Sequence, residues 1–156
     1  MKINWKTLIL CILIPLTVGF LASVFTSDSV MLFSEITKPP LSPPSWAFPV
    51  VWTILFVLMG ASSYLVLTSK KPQSQIKSAL TVYGIQLAFN FFWSIIFFNL
   101  EAYLFAFFWP VILWLLIILT IYLFSKINKT AAVLLIPYLL WVTFAGYLNY
   151  AIYLLN

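Results

Sequence analysis

The chain has 156 residues, of which 64% are hydrophobic and only 7% charged, with a mean hydropathy of +1.10 and a formal net charge of +5. Soluble domains carry about 25% charged residues, so a chain of this length and composition cannot be a soluble globule and needs lipid as its solvent. Histidine is absent and cysteine occurs once, at Cys11, which excludes a Ser-His-Asp triad, the usual zinc sites and any disulfide within the chain.

Uncharged runs at 7–27, 39–69, 78–100, 102–125 and 130–156 each reach the roughly 20 apolar residues that cross a bilayer. The expected fold is therefore an all-α integral membrane protein: one domain, 1–156, with helices at about 5–25, 44–69, 73–99, 102–125 and 130–154. In helix 1, Pro15, Gly19 and Ser23 recur every four residues and form a small-residue face that admits another helix or a flat ligand.

The loop at 27–44 leads into a proline cluster, Pro39, Pro40, Pro43, Pro44 and Pro49. Proline fixes φ and lacks an N–H, so this stretch, with Lys38 at its start, reads as a stiff lid that runs into helix 2. Pro49 lies about one turn in, where a missing donor does little harm.

Helix 3 places Gln86, Asn90 and Trp93 on one face by their i, i+4, i+7 spacing. Gly84 and Ala88 are displaced from that face by roughly 200° and suit close helix contact, within the chain or in a homodimer. Amides in a bilayer must be satisfied by neighbours or by a ligand; for Asn90 both roles are open. Pro110 is expected to kink helix 4. In helix 5, Pro137, Trp141, Ala145 and Leu148 or Asn149 share a stripe, with a slot beside Trp141. Helix 2 offers Pro49, Trp52, Phe56 and Gly60. These stripes outline an apolar, aromatic cavity tipped by a few amides and indoles, suited to a flat hydrophobic ligand. Trp5, Trp46 and Trp109 read as interfacial anchors.

Lysines set the orientation. Lys2, Lys6, Lys70, Lys71, Lys77, Lys126 and Lys129 flank one set of helix ends, whereas Lys38 and the acids Asp28, Glu35 and Glu101 flank the other. The positive-inside rule then puts the N-terminus in the cytoplasm and the C-terminus outside, in the cell membrane. The positive charge is a topology signal, with no nucleic-acid partner implied.

Three blocks carry a resemblance to a known family: Lys38-Pro39 through Pro43-Pro44 with Trp46, Phe48, Pro49-Val50 and Trp52-Thr53; Gln86-Leu87-Ala88-Phe89-Asn90 with Trp93-Ser94 and Phe97-Phe98; and Pro137-Tyr138-Leu139, Trp141, Phe144-Ala145, Leu148-Asn149-Tyr150. The chain resembles the TspO/MBR family, bacterial tryptophan-rich sensory proteins related to the mitochondrial translocator protein. The resemblance implies a five-helix, commonly homodimeric bundle with a ligand cavity beneath the loop between helices 1 and 2. It implies binding of porphyrins such as protoporphyrin IX and haem, and of isoquinoline carboxamide or benzodiazepine-type drugs. No covalently held cofactor is expected; porphyrin serves as ligand or substrate. By the same resemblance, Trp52, Asn90 and Trp141 line the cavity, with Pro49, Phe56, Trp93, Ala145 and Leu148 around them. Light-dependent oxidative breakdown of porphyrin, using dioxygen, falls to Trp52 and Trp141. Tetrapyrrole transport or sensing without catalysis is the alternative. No basic residue follows Tyr150, so sterol recognition through the mammalian motif is not expected.

Overall fold

The computed structural model describes residues 2–33, 37–99 and 103–155, with side chains for 2–26, 37–96 and 108–155. Six helices follow in order: α1 Trp5–Phe33, α2 Ala47–Leu67, α3 Gln73–Asn99, α4 Tyr103–Ile127, α5 Lys129–Leu134 and α6 Ile136–Leu155. They make five membrane spans, because α5 and α6 together form the fifth, Lys129–Leu155. No strand occurs among the described residues. The protein is a multi-pass membrane bundle.

Hydropathy alone cannot say which faces pack, and α1 shows why. Its apolar residues go all the way round, and Ile9, Leu13, Ile14, Phe20 and Phe25 remain exposed. In a bilayer such a surface is solvated by lipid and costs nothing. The helices close into a ring in the order α1, α2, the fifth span, α4, α3 and back to α1. Tyr138, Phe124, Met59, Leu113 and Ile117 are its most deeply buried side chains.

At the lysine-rich end the ring is tightly sealed. Gly60 of α2 meets the α1 backbone; a Cβ there would press on Ile12 Cα and lie 2.7 Å from the Cys11 carbonyl oxygen. The Ser62 hydroxyl donates to the Ala131 carbonyl at 2.6 Å, joining α2 to α5. The Asn4 backbone N–H donates to the Tyr64 hydroxyl at 2.9 Å, tying the start of α1 to the end of α2.

Several expectations are corrected. The first helix runs on to Phe33, eight residues past the expected end, so residues 27–33 of the expected 27–44 loop are helical; residues 34–36 lie outside the described residues. The second helix starts at Ala47, three residues later than expected, after a turn in which the Ala47 N–H donates to the Pro44 carbonyl at 3.0 Å. The fifth helix is not continuous. Pro137 has no N–H to give the carbonyl four residues back, and the ladder breaks at Leu135, whose N–H turns to Ala132 at 3.1 Å instead. Trp109 is an inter-helix strut: its indole stacks on Phe89 at 4.6 Å and donates to the Phe89 carbonyl at 2.8 Å. Trp5 and Trp46 are exposed, as interfacial anchors would be. Gly84 and Ala88 are exposed too, and a Cβ on Gly84 would meet nothing within 4 Å; their face does not pack within the chain.

Candidate functional site

The break at Leu135 has a consequence for the other end of the bundle. α2 packs along α5, yet it stands away from α6 beyond the break. Rings span the gap. Phe48 meets Trp141 at 5.8 Å between centroids, Trp52 meets Trp141 at 6.5 Å, and Trp52 meets Tyr138 at 6.2 Å. Where backbones are this far apart and only side chains bridge them, space remains. It forms a cavity of about 600 Å³, within the range of small-molecule sites.

Four helices line it. α1 contributes Leu16, Gly19, Phe20, Ala22, Ser23 and Thr26; α2 and the residue before it give Ser45, Phe48, Pro49, Trp52, Thr53 and Phe56; α3 gives Asn90, Trp93 and Ser94; α6 gives Trp141, Ala145, Leu148, Asn149 and Ile152. None of these is charged. These residues lie towards the helix ends remote from the seven lysines. Among the described residues no cluster of metal-ligating side chains occurs.

Trp52 is the hub. It stacks on Phe56 at 5.6 Å and lies 6.1 Å from Trp93, besides its contacts with Tyr138 and Trp141. Such aromatic pairs add about 0.5–1.5 kcal/mol each beyond area burial, so the wall is held in shape without a ligand. Gly19 makes room for it: a Cβ there would lie 2.7 Å from Phe56 Cδ2. The Trp93 and Trp141 indole nitrogens are sealed in the wall without an acceptor among the described residues.

Several of the polar groups are already committed. Ser23 donates to the Phe20 carbonyl at 2.7 Å, Thr26 to Ala22 at 2.8 Å and Thr53 to Pro49 at 2.7 Å. These three hydroxyl hydrogens are spent on their own helices, leaving lone pairs. At the back of the cavity the Asn90 Nδ2 donates to the Tyr138 hydroxyl at 2.8 Å. Tyr138 in turn donates to Gln86 Oε1 at 2.7 Å, and Gln86 Nε2 points at the Met59 sulfur, 3.9 Å away.

The structure therefore brings together most of the expected site. Pro49, Trp52, Phe56, Asn90, Trp93, Trp141, Ala145 and Leu148 all line the cavity. Asn90 holds both of the roles left open for it, bonded to Tyr138 and facing the cavity. Gln86, expected in the lining, is not there; it is buried one layer behind, against Tyr138. The lid residues Lys38, Pro39, Pro43 and Pro44 also lie outside the lining, and Ser45 alone of residues 37–46 reaches it. Pro137 is exposed and acts by breaking the helix. The Phe97 side chain lies outside the described residues. Residues missed from the expected site are chiefly those of α1; the four-residue spacing of Gly19 and Ser23 was the signal for them.

Comparison with known proteins agrees with this architecture. Residues 11–155 match the TspO/MBR family. A protein named "Tryptophan-rich protein TspO" from Chlorobaculum tepidum is 41% identical over 151 residues, covering 96% of each chain. One of the same name from Archaeoglobus fulgidus is 39% identical over 155 residues, 98% of this chain and 99% of the relative. A "Translocator protein" from Bos taurus is 32% identical over 142 residues, 88% of this chain and 83% of the relative.

Proposed function

This chain belongs to the TspO/MBR family, and we propose that its cavity binds flat tetrapyrroles, protoporphyrin IX and haem-like macrocycles, together with isoquinoline carboxamide and benzodiazepine-type drugs. One observation carries the reading: a space of about 600 Å³ walled by Trp52, Trp141, Phe48 and Phe56, with no charged residue among the described residues of its lining. Rings of this kind stack on an extended π-system. An ionised carboxylate inside would lack a counter-charge and be strongly disfavoured. The acid groups of a porphyrin are therefore held at the mouth, near Thr26 and Ser45, with the macrocycle inside.

The same rings favour a second step, light-dependent oxidative degradation of the bound porphyrin. The oxidising chemistry comes from light and dioxygen, since the lining offers no group suited to general acid–base work. The chain's part is to exclude water and to hold the macrocycle flat against Trp52, which lies in contact with two further indoles. Sensing or transport of tetrapyrroles without catalysis is the competing reading. The name of the Bos taurus relative fits it. A second copy of the chain is the partner we assign to the exposed Gly84–Ala88 face, and the orientation is N-terminus cytoplasmic in the cell membrane.

A protoporphyrin IX titration of purified protein, in the dark and under illumination with product analysis, tests both steps. Saturable binding is expected, with light-dependent loss of porphyrin absorbance. Trp52→Phe combined with Trp141→Phe is expected to keep dark binding and abolish that loss. Unchanged bleaching in the double variant would leave binding and remove the catalytic step.

A further inference from the structure

The sealed end of the bundle gathers cations that the chain itself does not neutralise. Lys2 and Lys6 stand at the start of α1, Lys70 and Lys71 between α2 and α3, Lys77 in the second turn of α3, Lys126 at the end of α4 and Lys129 at the start of α5. All are exposed, and none is in an ion pair among the described residues. Lys126 lies over the Tyr122 ring, 5.1 Å from its centre, a contact that leaves its net charge in place. The acids stand elsewhere in the chain: Asp28 in the far half of α1, Glu35 and Glu101 just beyond the far ends of α1 and α3.

Packing brings these charges together. The Asn4 N–H bond to Tyr64 fastens the start of α1 beside the end of α2, the Ser62 bond fastens α2 to α5, and α3 lies between α1 and α4 in the ring. Neighbouring helices pack about 8–10 Å apart, close to one Debye length at physiological salt, so ammonium groups on adjacent helix ends repel one another. The positive-inside rule accounts for the side of the membrane on which lysines collect; it does not cancel their charge once the bundle has closed. Beside the lysines the surface turns apolar at once, with Ile3, Trp5, Ile9 and Leu10 of α1 and its approach and Leu67 of α2 all exposed. A partner that meets both surfaces has an anionic head on an apolar body.

We infer that the lysine-rich end is a docking surface for anionic phospholipids, which collect around it in preference to zwitterionic ones and neutralise the charge that packing concentrates. Every cation is a lysine and the chain has no arginine. Lysine acts on phosphate as a point charge and lacks the planar fork that reads its shape. The surface therefore selects by net charge, and phosphatidylglycerol and phosphatidylserine serve alike. The inference is independent of the cavity and of what the cavity binds.

The test places the full chain in phosphatidylcholine bilayers with a trace of spin-labelled phosphatidylglycerol or phosphatidylcholine, and reads by electron paramagnetic resonance the label immobilised at the protein surface. At low salt wild type is expected to retain the anionic lipid about threefold more strongly, and at about 1 M salt, where the Debye length is about 3 Å, the two should be held equally. Lys70→Gln, Lys71→Gln and Lys77→Gln together should lower the preference to about half its excess. Acetylating the lysines of the reconstituted wild type removes their charge and should abolish it, which keeps the test usable if the triple variant inserts poorly. Melting supplies a second reading. In phosphatidylcholine alone, added salt should raise the melting temperature by screening repulsion. In bilayers rich in phosphatidylglycerol it should lower it, because an attraction is then being screened. Equal retention of the two lipids at low salt, a preference that survives both high salt and acetylation, or melting that moves the same way with salt in both bilayers would overturn the inference. Loss of the preference on adding micromolar tripolyphosphate would overturn it too, by giving the surface to a soluble polyanion.

Discussion

Gly60 and Gly19 sit at two levels of the same α1–α2 interface, and each removes a side chain for a different reason. At Gly60 the space is taken by backbone, Ile12 Cα and the Cys11 carbonyl; at Gly19 it is taken by the edge of the Phe56 ring. Backbone cannot yield without moving a helix, whereas a ring can rotate. One glycine thus fixes how closely two helices cross. The other fixes where one wall of the cavity stands. A bundle can be rigid at one end and adaptable at the other using the same residue type on the same pair of helices.

One methyl group added at each level separates the two roles. Gly60→Ala gains about 1 kcal/mol of helix propensity. Overpacking against backbone costs about 1–3 kcal/mol or more, so the net effect is loss of thermal stability, expected as a lowered melting temperature by circular dichroism in detergent. If Gly60→Ala melts no lower than wild type, the crossing is looser than described. Gly19→Ala should leave melting nearly unchanged, because the propensity gain offsets the displacement of Phe56. The displaced ring enters the cavity, and porphyrin affinity should fall about tenfold, one misplaced contact being worth about 1.4 kcal/mol. Equal affinity in the titration would show that Phe56 does not shape the site. The smallest expected effect is at the sealed end: Ser62→Ala removes one buried hydrogen bond to Ala131 and should cost about 1 kcal/mol of stability without altering porphyrin binding. A change in affinity there would mean that the two ends are coupled.

Much of this difference was legible in the sequence. Charge-free runs give the five spans because lipid tolerates little else. The stripes of Trp52 with Phe56 and of Trp141 with Ala145 give the walls, because large and small residues alternate where helices part. Depth was not legible. Gln86 and Asn90 share a helical face, yet only Asn90 lines the cavity, since Tyr138 from another helix stands between Gln86 and the open space. Periodicity reports direction around a helix, and what lies opposite comes from a different part of the chain. The role of Pro137 was hidden for the same reason. Its place inside a span was plain, but the gap it opens between α2 and α6 depends on α2 staying packed on α5. Stiffness in the proline loop does not imply proximity: of residues 37–46 only Ser45 lines the cavity, and the first turn of α2 supplies Phe48 and Pro49.

The length of α1 bears on the membrane itself. Its 29 residues rise about 44 Å at 1.5 Å per residue, against a hydrocarbon core of roughly 30 Å. The charge-free run ends at Ser27, before Asp28, and the six residues from Asp28 to Phe33 carry the chain about 9 Å farther along the helix axis. α1 is thus about 14 Å longer than the acyl region is thick, an excess that a helix takes up by tilting or by standing out among the headgroups. A thicker bilayer would bring those headgroups up to Leu41 and Trp46, both exposed, and a thinner one would leave them in water. Acyl-chain length in reconstituted vesicles then becomes a variable that acts on the mouth of the cavity without touching its walls.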